Sequence, residues 1–170
     1  MLHIFVLKVF QGRGKMSGYI SDLRKIVGRR TLIQCAASII CVNEKGQLLL
    51  GKRTDNHLWG YSGGAVEVDE HVEDCARREL LEEMSITAGK MELFYINSGP
   101  EAHYIYPNGD EVSNIEIVYL CRDYSGEPHP QEEEIEELRY FSPEEIRIEE
   151  ISPPIRPVFE KYLEMTGMSQ

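Results

Sequence analysis

Residues 64–86 read GAVEVDEHVEDCARRELLEEMSI, and their glutamates are spaced for metal chemistry. A helix advances about 100° per residue, so Glu79, Glu82 and Glu83 fall within an arc of roughly 100° on one face. Three carboxylates crowded in this way repel one another, and without a cation among them at least one is pushed toward protonation. The arrangement is what a site for Mg²⁺ or a similar hard cation requires. A loop carrying Gly64, Glu67 and Glu70 leads into this helix, and Arg78 stands beside Glu79 within it.

The helix is expected over residues 71–84. Val72, Cys75, Ala76, Glu79 and Glu83 lie at i, i+3, i+4, i+7 and i+11, the spacing of a core-facing stripe. The stripe begins apolar and ends as carboxylate. Charge placed where periodicity calls for partial burial is costly unless it is paired or metal-bound. A solvated acidic face would account for the charge but not for its position on the stripe.

Other elements must position this helix. Residues 17–27 read as a short helix ended by Gly28. Residues 31–43 and 47–53 read as two strands of a hairpin turned by Glu44-Lys45-Gly46. Residues 55–57 open a loop that runs through Leu58, Trp59 and Tyr61 to the Gly63-Gly64 pair. Residues 90–98 form a strand. Residues 104–106 and 111–122 form hairpin arms around Pro107-Asn108-Gly109-Asp110, because Asn-Gly favours a tight turn. Residues 126–137 are a Pro- and Glu-rich loop, followed by a short strand at 138–141, a short helix at 143–146 and a terminal helix at 157–165 with Pro at its start.

The chain has 170 residues, 42% of them hydrophobic and 28% charged, which describes a globular protein with one domain as the default. A formal net charge of −11 disfavours nonspecific binding to nucleic acid or anionic membrane, although metal ions can screen a polyphosphate substrate. Apolar runs such as residues 35–42 are too short to span a bilayer. The four cysteines form no C-x-x-C pair and read as reduced thiols in a cytoplasm. Residues 1–10 are apolar but have no basic start and no small-residue cleavage site, so they do not read as a signal peptide. Gly12-Arg13-Gly14-Lys15 before Met16 looks like a translated ribosome-binding site. We therefore expect residues 1–15 to be an upstream extension and 16–170 to be one domain. The alternative is an extra strand or arm that packs on the domain or on a partner subunit. The intact mass of the native protein decides: a product beginning at Met1 refutes the extension.

The segment resembles the signature of the Nudix (MutT-like) hydrolases, G-x5-E-x7-R-E-U-x-E-E-x-G-U, with U a bulky aliphatic. Gly64, Glu70, Arg78, Glu79, Leu80, Glu82, Glu83 and Ile86 match, and a chance match from this composition is rare. Two positions depart. Ser85 replaces a Gly suited to a left-handed position after the helix, at a cost on the order of 1 kcal/mol at most. Ser62 stands where relatives often carry Pro. The order of elements over residues 31–164 is similar to the family's α/β fold, an α/β/α sandwich with a mixed β-sheet.

What the resemblance implies can be placed residue by residue. Glu82 and Glu83 are the principal Mg²⁺ ligands, with Mn²⁺ as a substitute. Glu79 is a ligand or the base for the attacking water, and a carbonyl at Gly63 or Gly64 completes the coordination. Glu70 is similar to the family's outer ligand. Arg78 orients a carboxylate by a bidentate pair, or else forms an ordinary surface pair with Asp74 or Glu82. A further glutamate is expected from among Glu132, Glu133, Glu134, Glu136 and Glu137, with Glu134 our choice; a merely solvated acidic loop is the alternative.

The implied reaction is water attacking a phosphorus of a diphosphate bridge, which needs positioning and electrostatics and no covalent nucleophile. Arg53 could touch a phosphate. Trp59, Tyr61, Tyr104 and Tyr106 are either base-stacking residues or core, and His57 and His103 are either mouth or ordinary surface residues. The expected partner is a small nucleoside diphosphate derivative: a nucleoside triphosphate, ADP-ribose, a dinucleoside polyphosphate or a nucleotide sugar. Nucleic acid is expected only as a capped or triphosphorylated RNA end. A homodimer is compatible with the resemblance and not required by it. Two competing functions remain: a Nudix-fold module that senses a nucleotide without cleaving it, and a purely structural acidic helix with Ca²⁺ or no metal. The intact glutamate set argues against the first, and the Gly-Gly loop against the second.

Overall fold

The structure, a computed structural model, describes residues 18–167; the expected extension at 1–15 and start at Met16 lie outside the described residues. In chain order the elements are α1 (Tyr19–Val27), β1 (Leu32–Val42), β2 (Leu48–Arg53), β3 (Trp59–Gly60), β4 (Ser62–Ala65), α2 (Val72–Met84), β5 (Thr87–Ala88), β6 (Met91–Asn97), β7 (His103–Ile105), β8 (Glu111–Cys121), β9 (Tyr124–Ser125), β10 (Ile135–Phe141) and α3 (Arg156–Met165). Short 3₁₀ turns link β10 to α3. No helix among the described residues is long and apolar enough to cross a membrane.

Strand β1 organises the sheet because its inner half is buried on both faces. Its alternating side chains divide between two cores. Ala37, Ile39 and Cys41 pack in the layer that holds Cys75, Ala76, Leu80 and Met84 of α2. Ile40 and Val42 pack in the layer that holds Val158, Phe159, Tyr162 and Leu163 of α3. The result is the expected α/β/α sandwich. The sheet runs β10-β2-β1-β8-β6, with β3 on β2, β4 on β1 and β7 on β8. Strands β1 and β8 are parallel, from Leu32 opposite Val112 to Cys41 opposite Cys121, whereas the other named pairs are antiparallel. The sheet is therefore mixed.

Three local expectations need correction. The β1–β2 hairpin pairs only at Cys41–Leu49 and Val42–Leu48. One edge of β1 is taken by β8 throughout, so β2 and β4 share the other edge in succession. In consequence the Gly63-Gly64 pair lies in a strand, not a loop. Glycine is needed there for close approach: a Cβ on Gly63 would overlap the Ser38 side chain, and one on Gly64 would overlap the Glu79 carboxylate. Finally, residues 135–137 belong to β10 and not to the acidic loop, because Ile135 is anchored in the interior. The turn before β8 forms as expected, with the Tyr106 N–H bonded to the Asp110 carbonyl at 2.8 Å. The helix near residue 143 is a 3₁₀ turn, Pro143–Glu145, with a capping box from Ser142 and Glu145.

Helix α2 ends at Ser85, which adopts the left-handed conformation (φ 59°, ψ 26°) that the signature's glycine would favour. Its N–H bonds the Leu81 carbonyl at 3.1 Å. Ser85→Gly should stabilise the fold by up to about 1 kcal/mol, less the extra freedom that glycine gives the unfolded chain. Urea unfolding checks this; a lower midpoint at constant slope refutes it.

Candidate active site

Small residues let α2 settle onto the sheet: Cys75 and Ala76 of the helix share one buried layer with Ala37 of β1. The descent carries the C-terminal half of the helix against β4. Leu80 and Met84 join the buried face alongside Cys75, Ala76 and Glu83, so the stripe is wider than its sequence spacing indicated. Glu83 is only 7% exposed. It accepts the Gly63 N–H at 3.2 Å and has no ion pair among the described residues. Burial pushes its carboxyl up to about 8; the nearby Ser62 hydroxyl opposes this, Glu79 and Glu134 add to it, and Arg53 opposes it. No basic residue lies in the last turn of α2, so its terminal acids also face the negative end of the helix dipole.

Arg78 gathers the remaining carboxylates. Its Nε and Nη2 form a bidentate pair with Glu70 at 2.7 and 3.0 Å, and its Nη1 reaches Glu79 at 2.6 Å and Glu82 at 3.2 Å. Asp74 instead lies near Arg77, at 4.0 Å. The Arg78 pair holds the Glu70 carboxyl below its usual range. Burial raises that of Glu79, against the pull of Arg78. With Arg78 standing between Glu79 and Glu82, no three acidic, histidine or cysteine side chains among the described residues converge in metal-ligand geometry. The donor set nonetheless fits a hard divalent cation. Every side-chain donor is a carboxylate, the innermost has no ion pair among the described residues, and the missing Cβ of Gly64 leaves the space that Glu79 occupies.

The acidic loop is tied to the end of this helix. The His129 and Gln131 N–H groups bond the Met84 and Glu83 carbonyls at 3.0 and 2.9 Å, and the Thr54 N–H bonds the Glu134 carbonyl at 3.0 Å. These bonds bring Glu134 close enough for its charge to raise both Glu79 and Glu83. Glu136 points elsewhere, pairing with His57 and Lys52.

Beside the acids lies a small cleft, partly open to solvent. Its lining includes Arg53, Gly63, Gly64, Tyr106, Asn114 and Glu116. Asp55 holds Arg53 through bonds of 2.9 and 2.8 Å. Two of the four aromatic candidates fall on the core side of the alternative. The Tyr61 ring is buried and stacked on Phe159 at 5.5 Å, and its hydroxyl donates to Glu116 in the cleft wall. Trp59 packs edge-on against Phe141 at 4.7 Å and does not line the cleft. Their neighbours are core residues contributed by α3 and β10, which complete both apolar contacts. Tyr106 lines the cleft, with Tyr104 edge-on beside it at 5.0 Å. His103 is a surface partner of Glu111 at 3.0 Å.

A sequence model of the NUDIX domain matches residues 33–162, which include both α2 and the cleft. The chain belongs to the NUDIX domain family. This NUDIX chain is similar to the NAD-capped RNA hydrolase NudC of Vibrio cholerae, 30% identical over 121 residues that make up 70% of this chain and 39% of the relative. It is also similar to an RNA pyrophosphohydrolase of a Marinomonas species, 36% identical over 55 residues, or 32% of this chain and 34% of that one. The chain thus spans between a third and two fifths of the length of these curated relatives. Among solved structures, a MutT NUDIX hydrolase from Burkholderia pseudomallei superposes with a TM-score of 0.64 at 26% identity, covering 76% of this chain and 98% of that one.

Glu116 of this NUDIX chain was not singled out by its sequence. It is buried and accepts hydrogen bonds from Ser38 (2.7 Å), Tyr61 (3.2 Å) and Asn97 (3.0 Å). The missed signal is periodic: Asn114 and Glu116 alternate in register with Val118 and Leu120, placing polar groups on a face that continues as core. Burial raises the Glu116 carboxyl, and the bonds from Asn97, Ser38 and Tyr61 oppose the rise. A raised folded pKa means the folded state binds more protons than the unfolded one. Stability from this group is therefore fully present below the unfolded value of 4.5 and is lost as pH rises through the folded value. Glu116→Gln should flatten that decline in unfolding free energy against pH; an unchanged slope refutes the assignment.

Proposed function

We propose that this NUDIX protein is a divalent-metal-dependent pyrophosphohydrolase that cleaves the diphosphate linkage of a nucleoside diphosphate derivative. The observation that carries the reading is Glu83, a buried carboxylate with no ion pair among the described residues, near Glu79, Glu134 and the Gly63–Gly64 strand that lines the cleft. Glu79, Glu82 and Glu83, with the Gly64 carbonyl, would hold Mg²⁺ or Mn²⁺. When bound, the metal supplies neutralising charge for phosphate oxygens and makes a water more acidic. Arg53, pre-oriented by Asp55, binds a phosphate of the substrate. Glu79 or Glu134 accepts the proton of the attacking water. Arg78 holds Glu70 in place and, in the metal-free protein, compensates the charge of Glu79 and Glu82. The free thiols of Cys35, Cys41, Cys75 and Cys121 suit a cytoplasmic location, with residues 16–170 as one domain.

The relatives' names, NAD-capped RNA hydrolase and RNA pyrophosphohydrolase, put NAD and capped or triphosphorylated RNA beside nucleoside triphosphates, ADP-ribose, dinucleoside polyphosphates and nucleotide sugars as substrates to assay. Metal-dependent turnover of at least one, lost in EDTA and in Glu82→Gln, is expected. If the panel shows no turnover, the nucleotide-sensing reading takes its place.

A further inference from the structure

Part of one sheet face has no cover among the described residues. On the α2 side, the helix shares a buried layer with the later residues of β1 and β8: Ile39, Cys41, Tyr119 and Cys121. The earlier residues of both strands lie beyond it. Strand alternation puts Ile33 and Cys35 of β1, and Ile115 and Ile117 of β8, on this same face. In the edge strand β6, Ile96 pairs with Ile117 and Leu93 with Tyr119, so both point the same way. Ile33 is 78% exposed, Leu93 61%, Ile96 54% and Ile115 45%. Cys35 is exposed and Ile117 is half-buried. These six side chains adjoin across three neighbouring strands.

Single exposed apolar residues are ordinary, whereas a contiguous patch marks an interaction site. Together the six expose on the order of 500 Å² of apolar surface, as large as the largest patch on a typical monomer. An interface of standard size buries about 800 Å² per partner, a little over half of it apolar. The patch therefore supplies the apolar share of one side of such an interface.

Charge selects what covers it. The chain carries a formal −11, so two copies repel wherever acidic surfaces meet. The charged side chains that border the patch have partners. Glu111, on the same face of β8, meets His103 at 3.0 Å. Arg77 of α2, whose charge together with that of Glu73 reaches Tyr119, lies 3.8 Å from Glu73. A cationic partner would be steered to the acidic surfaces elsewhere and not to this face. A second copy brings apolar surface against apolar surface where the chain carries little net charge. We propose that this face of β1, β8 and β6 is a homodimer interface, with the patches of two copies packed on each other about a two-fold axis. It stands or falls independently of the pyrophosphohydrolase reading.

Sedimentation of the full chain tests it, with Cys35 as a built-in probe. Cys35 is exposed and the other three cysteines are buried, so a maleimide reads the patch. At about 50 µM wild type should sediment as a dimer, because interfaces of this size bind with micromolar or tighter Kd. In that dimer Cys35 should react at least about tenfold more slowly than after dilution to monomer, since the centre of an interface excludes solvent. Ile96→Lys combined with Ile115→Lys should weaken dimerisation at least about 100-fold, because each substitution acts on both copies. The lysines lower the net negative charge, so the lost association does not come from greater overall repulsion. Leu93→Lys, at the sheet edge, repeats the test with less demand on the fold, and the wild-type measurements decide even if a variant misfolds. A monomer at every concentration with Cys35 reactive would overturn the assignment. So would a monomer with Cys35 protected, which would make residues 1–17 of the same chain the cover. A dimer that survives the lysines, or one in which Cys35 reacts freely, would place the interface elsewhere and overturn it as well.

Discussion

Glu83→Gln is expected to lower kcat by about 10²- to 10⁴-fold and yet leave a folded protein. The amide has the shape of the carboxylate and can still accept the Gly63 N–H, so packing between α2 and β4 survives. What is lost is the negative charge that α2 holds inside, at 7% exposure. The same charge is a burden to the metal-free fold, because burial disfavours it. Two stability measurements therefore accompany the kinetics. In EDTA at alkaline pH the variant should unfold at a temperature equal to or above that of wild type. Added Mg²⁺ should raise the Tm of wild type, by mass action on the folded state, and have little effect on the variant. An unchanged kcat, or an equal Mg²⁺ shift in both proteins, would refute the metal assignment.

Arg78→Lys should be far from conservative. The guanidinium spans Glu70, Glu79 and Glu82 at once, and at 28% side-chain exposure its pairs are only partly screened. A lysine ammonium cannot reproduce the bidentate contact to Glu70 while also reaching Glu79. The expected cost is about 1–3 kcal/mol, reduced from the fully buried case because water reaches Glu82. Activity should fall about 10- to 100-fold, as is usual when a group that orients metal ligands is lost. Mg²⁺ should restore part of the stability, since a cation can replace the guanidinium between Glu79 and Glu82; Glu70 stays unpaired. Chemical denaturation with and without Mg²⁺ reads both effects. A variant as stable as wild type in EDTA would mean that the clamp contributes little.

The acids of α2 were legible because helical periodicity is a local property, and the polar end of an apolar stripe is visible without knowing the partner. The left-handed Ser85 was legible for the same reason. Strand β4 was not: a Gly-Gly pair lacks the side chains that mark strands, and what requires glycine there is Ser38, more than twenty residues earlier. Ile135 was read as loop because its burial comes from strands distant in sequence. Trp59 and Tyr61 could not be divided between core and cleft until Phe141 and Phe159 were in place. Nothing in the acidic run itself separates Glu134 from its four neighbours; the loop's attachment to the carbonyls of Glu83 and Met84 brings its charge near Glu79 and Glu83. Asn114 and Glu116 became informative only once the β1–β8 pairing showed which face of β8 they share with the core.

That pairing also sets an order of events during synthesis. Leu32 and Val112 are 80 residues apart, yet they begin the ladder at the centre of the sheet. At about 5–20 residues per second, a ribosome needs roughly 4–16 s to supply the second strand after the first. In that interval β1 offers its apolar residues an unpaired edge, and α2 has only half a sheet to rest on. Closing so long a loop is slow, which exposes the nascent chain to aggregation and to chaperone capture. The carboxylates of α2 are therefore made early and assembled late.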